Sequence, residues 1–476
     1  MNGGAMNQQA ELTRVTQESA DFVYNLSFED LPAEAVRIGK RCVLDGFGLM
    51  LAGSYEKCTQ IVTRFSSRVS QLQGATVLGM NPVTVAAPFA ALANGTAGHA
   101  MDWDDSQLSV SPGRMYGLLT HPTIPPLAAS LAVSEELGLV DGKTFLTAFL
   151  AGFEVECKIA EAINPDHYIK GFHTSGTVGT FGAAMAAAKL LDLSTDEILH
   201  TLGITSSMTS GIRTNFGTMT KPLHVGRAAH NGVTAALLAQ SGFEANMEAL
   251  DGPWGFFSVF GRGFDVENIA GCIGKPHTIV DPGVSIKPYP CGVLTHPSMD
   301  TMLSIVTEHD LKAEDIKEAI LFAGSNILKP IRYEIAHDEL EAKFCMPFLL
   351  AAIILSRKAG VHEFTDEFVN ADSTQQLMRR IRTEFDGDIE ARGWDKIRSR
   401  VEVVLNDGRR IAKEADENYR GGPDNPLTDK ELQNKFTDCT ERMLDEAARE
   451  NIFSIIEQLE DLEDITKLIQ AALPAA

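Results

Sequence analysis

Positive charge is scarce in this chain. Its 41 Lys and Arg stand against 64 Asp and Glu, a formal net charge of -23. That balance excludes nucleic acid and anionic membrane surfaces as partners, since both need basic patches. Cysteine is sparse too: seven, at positions 42, 58, 157, 272, 291, 345 and 439, with no CxxC pair. An odd count without a disulfide framework reads as reduced thiols. Every apolar run is broken by Gly, Ser or charge before it reaches membrane-spanning length. The first residues, MNGGAMNQQAELTRVTQES, lack the basic start and apolar stretch of a signal peptide. A cytoplasmic location is therefore expected. What is present is an ordinary globular composition, 44% hydrophobic and 22% charged over 476 residues, long enough for two or three domains.

Residues 1–267 read as mostly helical. LPAEAVRIGKRCVLDGFGLMLAG has apolar residues at helical spacing and ends on Gly. FAALANGTAGHAMD reads as a buried helix of small residues, KTFLTAFLAGFEVECKIAEAI as a helix stopped by Asn164-Pro165, and GTFGAAMAAAKLLDL as one suited to close packing. The character changes near residue 268. KPHTIVDPGVSIKPYPCG looks extended, DIKEAILFAG looks like a strand, and RVEVVLNDGRRIAKEAD looks like a hairpin turning at Asn406-Asp407-Gly408. Helical stretches at 294–308 and 340–358 lie between them, and 428–471 is helical and charged. The fold class expected is mainly α. A large all-helical domain (1–267 with 421–476, discontinuous) accompanies a smaller α+β domain (268–420).

Two short stretches carry most of the chemistry. GHAMDWDDSQ (98–107) sets three Asp within four residues. It lacks the DxDxDG spacing of an EF-hand loop and has no His or Cys following at i+4 for zinc, so neither a metal nor another cofactor is expected. Taken alone, Asp104 and Asp105 read as helix caps or second-layer partners. TMTKPLHVGRAAHNG gathers Lys221, His224, Arg227 and His230 within ten residues, a positive cluster suited to an anionic ligand. Lys221 precedes Pro222, so its backbone is expected to be extended with its amine at the mouth of the next helix. Taken alone, it reads as a surface lysine in preference to a catalytic one. The glycines 176, 179 and 182 lack both P-loop and GxGxxG spacing; close helix packing and a carboxylate-binding helix N-terminus remain equal readings. His121, His173, Lys287 and His296 stand in Gly/Pro-bounded loops, where function concentrates.

The segments GHAMDWDD, THPT, GFHTSGTVGTFGAA, NFGTMTKPLHVGRAAHNG, IKPYPCGVLTH and ELEAKFCMPFLLA, in this order, resemble the MmgE/PrpD family over residues 15–470. That family includes 2-methylcitrate dehydratase, cis-aconitate decarboxylase and iminodisuccinate epimerase. The resemblance implies a large helical domain and an α+β lid with the active site between them, usually in a homodimer. It also implies cofactor-independent chemistry on a small di- or tricarboxylic acid. Its functional positions fall on Asp102, His121, His173, Lys221 and Lys287, with Ser106 after the DD pair. Tyr333 is the nearest match to a lid tyrosine of the cis-aconitate decarboxylases. Thr174, Ser175, Gly176 and His224 flank these motifs as substrate-binding candidates. Fourteen residues (QLSVSPGRMYGLLT) separate Ser106 from His121, a longer loop than in those decarboxylases, and it carries Arg114 and Tyr116 as candidates for an extra carboxylate.

Removing a proton beside a carboxylate needs a positioned base and cationic stabilisation. His121, His173 and Lys221 are assigned to proton transfer, Lys287 and the Gly176–Gly182 loop to carboxylate binding, and Asp102 to orienting and charge-stabilising a His or Lys or to acting as base itself. The first reading is a hydro-lyase dehydrating a 2-methylcitrate-like hydroxy acid. The alternatives are a cis-aconitate-type decarboxylase, an epimerase of an iminodisuccinate-like acid, and a catalytically silent binding protein on the same fold.

Overall fold

The computed structural model describes residues 14–108 and 119–473. The chain is mainly α-helical and divides into two compact units.

The first unit draws on Met1–Gln107, Leu119–Val284 and Leu432–Ala476. Its long helices are α1 (Val15–Asn25), α2 (Ala33–Gly53), α3 (Lys57–Val69), α4 (Ala87–Ala100), α5 (Ile124–Leu137), α6 (Gly142–Ile163), α7 (Gly179–Leu190), α8 (Thr195–Met208) and α9 (Thr220–Gln240). Local sequence fixes their ends. Asp141 caps α6 by accepting from Thr144 N at 2.7 Å, and Ser194 and Glu197 form a reciprocal capping box on α8. α6 is buried on almost every face, its charged Glu154, Glu156, Lys158 and Glu161 included. Gly and Ala let α4, α5, α6, α7 and α9 approach closely: a Cβ on Gly232 would stand 2.6 Å from the Ala183 methyl. A small antiparallel pair, β1 (Ala75–Val77) and β2 (Val83–Val85), lies beside α4. The helices Glu446–Glu457 and Thr466–Ala471 belong to this unit.

The second unit is largely Ser285–Glu431. It holds α10 (His296–Glu308), β3 (Ile316–Ala323), α11 (Met346–Ser356), β4 (Ile381–Phe385), β5 (Ser399–Leu405) and β6 (Arg410–Glu414). The sheet order is β4-β3-β5-β6, with β3 parallel to β4 and antiparallel to β5. The β5–β6 hairpin turns at Asn406-Asp407-Gly408, where Gly408 takes φ 89°. α10 packs on β5 and α11 on β4, enclosing Met302, Leu321, Phe348, Val401 and Val403.

Two local expectations are corrected. KPHTIVDPGVSIKPYPCG is not continuously extended: it forms turns, a short helical turn at Ile279–Gly283 and a two-residue strand at Val284–Ser285. Its four prolines remove the donors a continuous ladder needs. Lys221 is not extended either but sits in the first turn of α9. Pro222 is tolerated there because its missing N–H falls among the orphan donors of a helix start. Among the described residues, no helix is long and apolar enough to cross a membrane.

Candidate acid–base site

The site starts where α4 crosses α9. A Cβ on Gly95 would stand 3.0 Å from Gly226 Cα, and one on Gly226 would overlap the Leu92 carbonyl and the Thr96 hydroxyl. Only glycine permits this approach. His99 follows Gly95 by one helical turn, and His224 and Lys221 precede Gly226 by two and five residues. The crossing therefore brings the end of α4 to the start of α9.

Beyond Ala100 the chain turns sharply. Asp102 adopts left-handed backbone, φ 55°, at the place after a helix end that glycine usually takes. Its N–H bonds back to His99 O at 3.2 Å. The turn sets Asp102 Oδ1 3.0 Å from Lys221 Nζ, with both side chains buried. It also returns Asp104 to the helix it left, so that Asp104 Oδ2 lies 2.7 Å from His99 Nδ1. His121 Nδ1 lies 2.6 Å from the Asp105 carbonyl oxygen. A carbonyl only accepts, so this nitrogen carries the proton. The same atom is 3.5 Å from Ser106 Oγ and 3.9 Å from Asp104 Oδ2.

His173 completes the cluster. Its N–H donates to Gly211 O at 3.0 Å, and its Nδ1 is 3.0 Å from His224 Nδ1, so one of these two nitrogens holds the shared proton. The His99 ring lies 4.9 Å from that of His121 and 5.5 Å from that of His173. Phe216 stands edge-on to His173 at 4.9 Å, with Lys221 Nζ 5.5 Å from its ring centre. Burial favours the neutral imidazoles. It holds His99 below its ordinary value, drives His173 well below, helped by His99 and Lys221, and pushes His224 down to about 4.

A second layer fixes the first. Ser175 Oγ accepts from His121 N at 2.9 Å, and Thr120 Oγ1 donates to Glu156 Oε1 at 2.6 Å. Thr123 donates to Asp105 Oδ2 at 2.6 Å, yet burial raises Asp105 to about 7 and Glu156 well above its ordinary range. Lys435 pairs with buried Asp45 at 2.6 Å and donates to the Trp103 carbonyl at 2.9 Å, which ties down the loop between Asp102 and Asp104. Gly176 packs without room for a side chain: a Cβ there would stand 2.9 Å from His224 Cβ.

Asp102, Ser106, His121, His173, Thr174, Ser175, Gly176, Lys221 and His224 thus gather in the first unit. Ser175 holds the His121 backbone. Lys287, buried, and Tyr333, at the edge of the core, belong to the second unit. Arg114 and Tyr116 lie outside the described residues. Sequence reasoning missed His99 and Phe216, and it left Asp104 without a partner. The available signal for His99 was its place in the last turn of a small-residue helix, immediately before the acidic turn. Among the described residues, no three His, Cys, Asp or Glu side chains converge as ligands for a metal ion would.

A mainly helical fold thus carries a buried Asp–Lys pair and four adjoining, mutually tilted histidines, groups able to take up and give protons. Residues 17–269 match the MmgE/PrpD N-terminal domain and residues 289–461 the MmgE/PrpD C-terminal domain, so the chain belongs to the MmgE/PrpD family. It is 28% identical over 466 residues to the cis-aconitate decarboxylase of Mus musculus, covering 96% of this chain and 93% of that one. It is 27% identical over 474 residues to the cis-aconitate decarboxylase of Homo sapiens, covering 97% and 96%. The cis-aconitate decarboxylase of Aspergillus terreus is 23% identical over 480 residues, covering 96% and 95%.

Proposed function

We propose that this chain is a lyase that decarboxylates a cis-aconitate-type tricarboxylic acid. The observation that carries the reading is the buried contact of Asp102 Oδ1 with Lys221 Nζ at 3.0 Å, set among imidazoles that burial keeps neutral. The names of the relatives favour decarboxylation over the dehydration that the motifs alone put first.

Such a substrate carries a carboxylate on a methylene group next to a carbon–carbon double bond. As the bond to that carboxylate breaks, its electron pair forms a new double bond and CO2 leaves. The pair of the old double bond moves to the distal carbon, which takes one proton. The site must therefore supply a proton. Lys221, held by Asp102, is the donor, and water restores it afterwards. His121 and His173 hydrogen-bond the remaining carboxylates, and His173, kept neutral by burial, adds no second buried cation. A positioned acid of this kind contributes roughly 10²–10⁴-fold.

The test is a panel of cis-aconitate, 2-methylcitrate, citrate and iminodisuccinate, read by CO2 release, alkene absorbance and change of configuration. CO2 from cis-aconitate is the expected result. Alkene formation from 2-methylcitrate without CO2 from cis-aconitate would replace this reading by dehydration, and inversion of iminodisuccinate by epimerisation. Inertness toward all four would leave a binding protein.

A further inference from the structure

Among the described residues, His99 Nε2, His173 Nε2 and Thr174 Oγ1 of the cluster are buried without a hydrogen-bond partner. They belong to side chains that adjoin in space or in sequence. Folded chains rarely leave such atoms bare; a ligand or an ordered water supplies what is missing. His173 and Thr174 stand in the GFHTS motif already assigned to the reaction, whereas His99 has no assigned part.

We propose that His99 is a further hydrogen-bond-accepting residue of the reaction site, held in a single tautomer by Asp104. The proposal rests on the acid–base reading of this cluster. Its geometry is specific. Asp104 Oδ2, 2.7 Å from His99 Nδ1, only accepts while ionised, so Nδ1 carries the proton and Nε2 keeps its lone pair. The His99 side chain is fully buried, which fixes that lone pair away from bulk water. Its ring lies 4.9 Å from that of His121 and 5.5 Å from that of His173, and so adjoins both imidazoles assigned to the substrate. The charged groups that act on it are Asp104 and Asp102, which favour its imidazolium, and Lys221, which opposes it. Burial outweighs the two carboxylates and leaves the neutral acceptor form. In the reaction, Nε2 accepts a hydrogen bond from a protonated group of the bound acid or from the water that restores the spent proton donor. No bond to His99 forms or breaks.

The test separates this role from packing. His99→Asn keeps a side-chain N–H donor on the Nδ1 side toward Asp104 and deletes Nε2. With cis-aconitate, kcat should fall by roughly 100-fold or more while KM changes less than about threefold and the melting temperature stays within a few degrees. Turnover within threefold of wild type would overturn the proposal. Should His99→Asn fail to fold, ¹⁵N spectra of histidine-labelled wild-type protein decide. A neutral His99 protonated at Nδ1 at pH 7 supports the dyad; protonation at Nε2, or an imidazolium, refutes it. The spectra need no turnover, so a wild-type protein inert toward cis-aconitate would refute the proposed reaction and leave the dyad to be judged by them.

Discussion

Replacing Asp102 by Gly should leave the first unit more stable than replacing it by Ala. Either change removes the carboxylate from buried Lys221, and loss of one partner of such a pair costs about 3–5 kcal/mol. Backbone strain separates the two. At φ 55° a Cβ costs about 1–2 kcal/mol, which Gly recovers. Against this, the freer unfolded chain penalises Gly by about 0.4–1 kcal/mol. The net advantage of Gly is on the order of 0.5–1 kcal/mol. At Ala100, two residues earlier and still helical, the sign reverses, and Ala100→Gly should cost about 0.5–1 kcal/mol. Urea unfolding followed by Trp103 fluorescence measures both, with Trp254 and Trp394 replaced by Phe so that only the neighbour of Asp102 reports. A lower midpoint for Asp102→Gly than for Asp102→Ala would refute the claim that this turn is strained to aim the carboxylate.

Other perturbations test the layers around the site. Asp105 is raised by burial from its ordinary value to about 7, so the folded state binds its proton more tightly than the unfolded chain does. Its contribution is present at low pH and fades between about pH 4 and 7, by up to about 1.4 kcal/mol per pH unit. Asp105→Asn should flatten that slope relative to wild type in urea unfolding at pH 5, 6 and 7; parallel slopes would contradict it. Lys435→Met removes the cation from buried Asp45 and should cost about 3–5 kcal/mol in the same assay, with most of it recovered in Asp45→Leu/Lys435→Met. Gly226→Ala forces α4 from α9 and should destabilise by at least about 1–3 kcal/mol and lower kcat, whereas Gly387→Ala, with open space at its Cβ, should change stability by less than about 1 kcal/mol.

The helices were legible because their apolar residues recur at helical spacing and their ends carry Pro, Gly, Asp and Ser. The hairpin was legible because Asn-Asp-Gly fits only a tight turn there. The site was legible in part. Asp102, His121, His173 and Lys221 stand in motifs, but nothing in the residue string shows that Gly95 and Gly226 face each other. The left-handed turn at Asp102 was equally hidden, and it alone lets Asp104 reach back five residues to His99. Asp104 read as a cap for that reason. Lys221 read as extended because a following proline disfavours helix, a local rule overridden where the helix begins.

The central claim is that the Asp102–Lys221 pair supplies the proton in a decarboxylation. The most direct measurement is CO2 release from cis-aconitate by wild type, Lys221→Met and His173→Ala, each checked for retained fold. Turnover by wild type, with kcat lowered roughly 100-fold or more in Lys221→Met, is the predicted result. Near-wild-type release by Lys221→Met and His173→Ala would contradict the account.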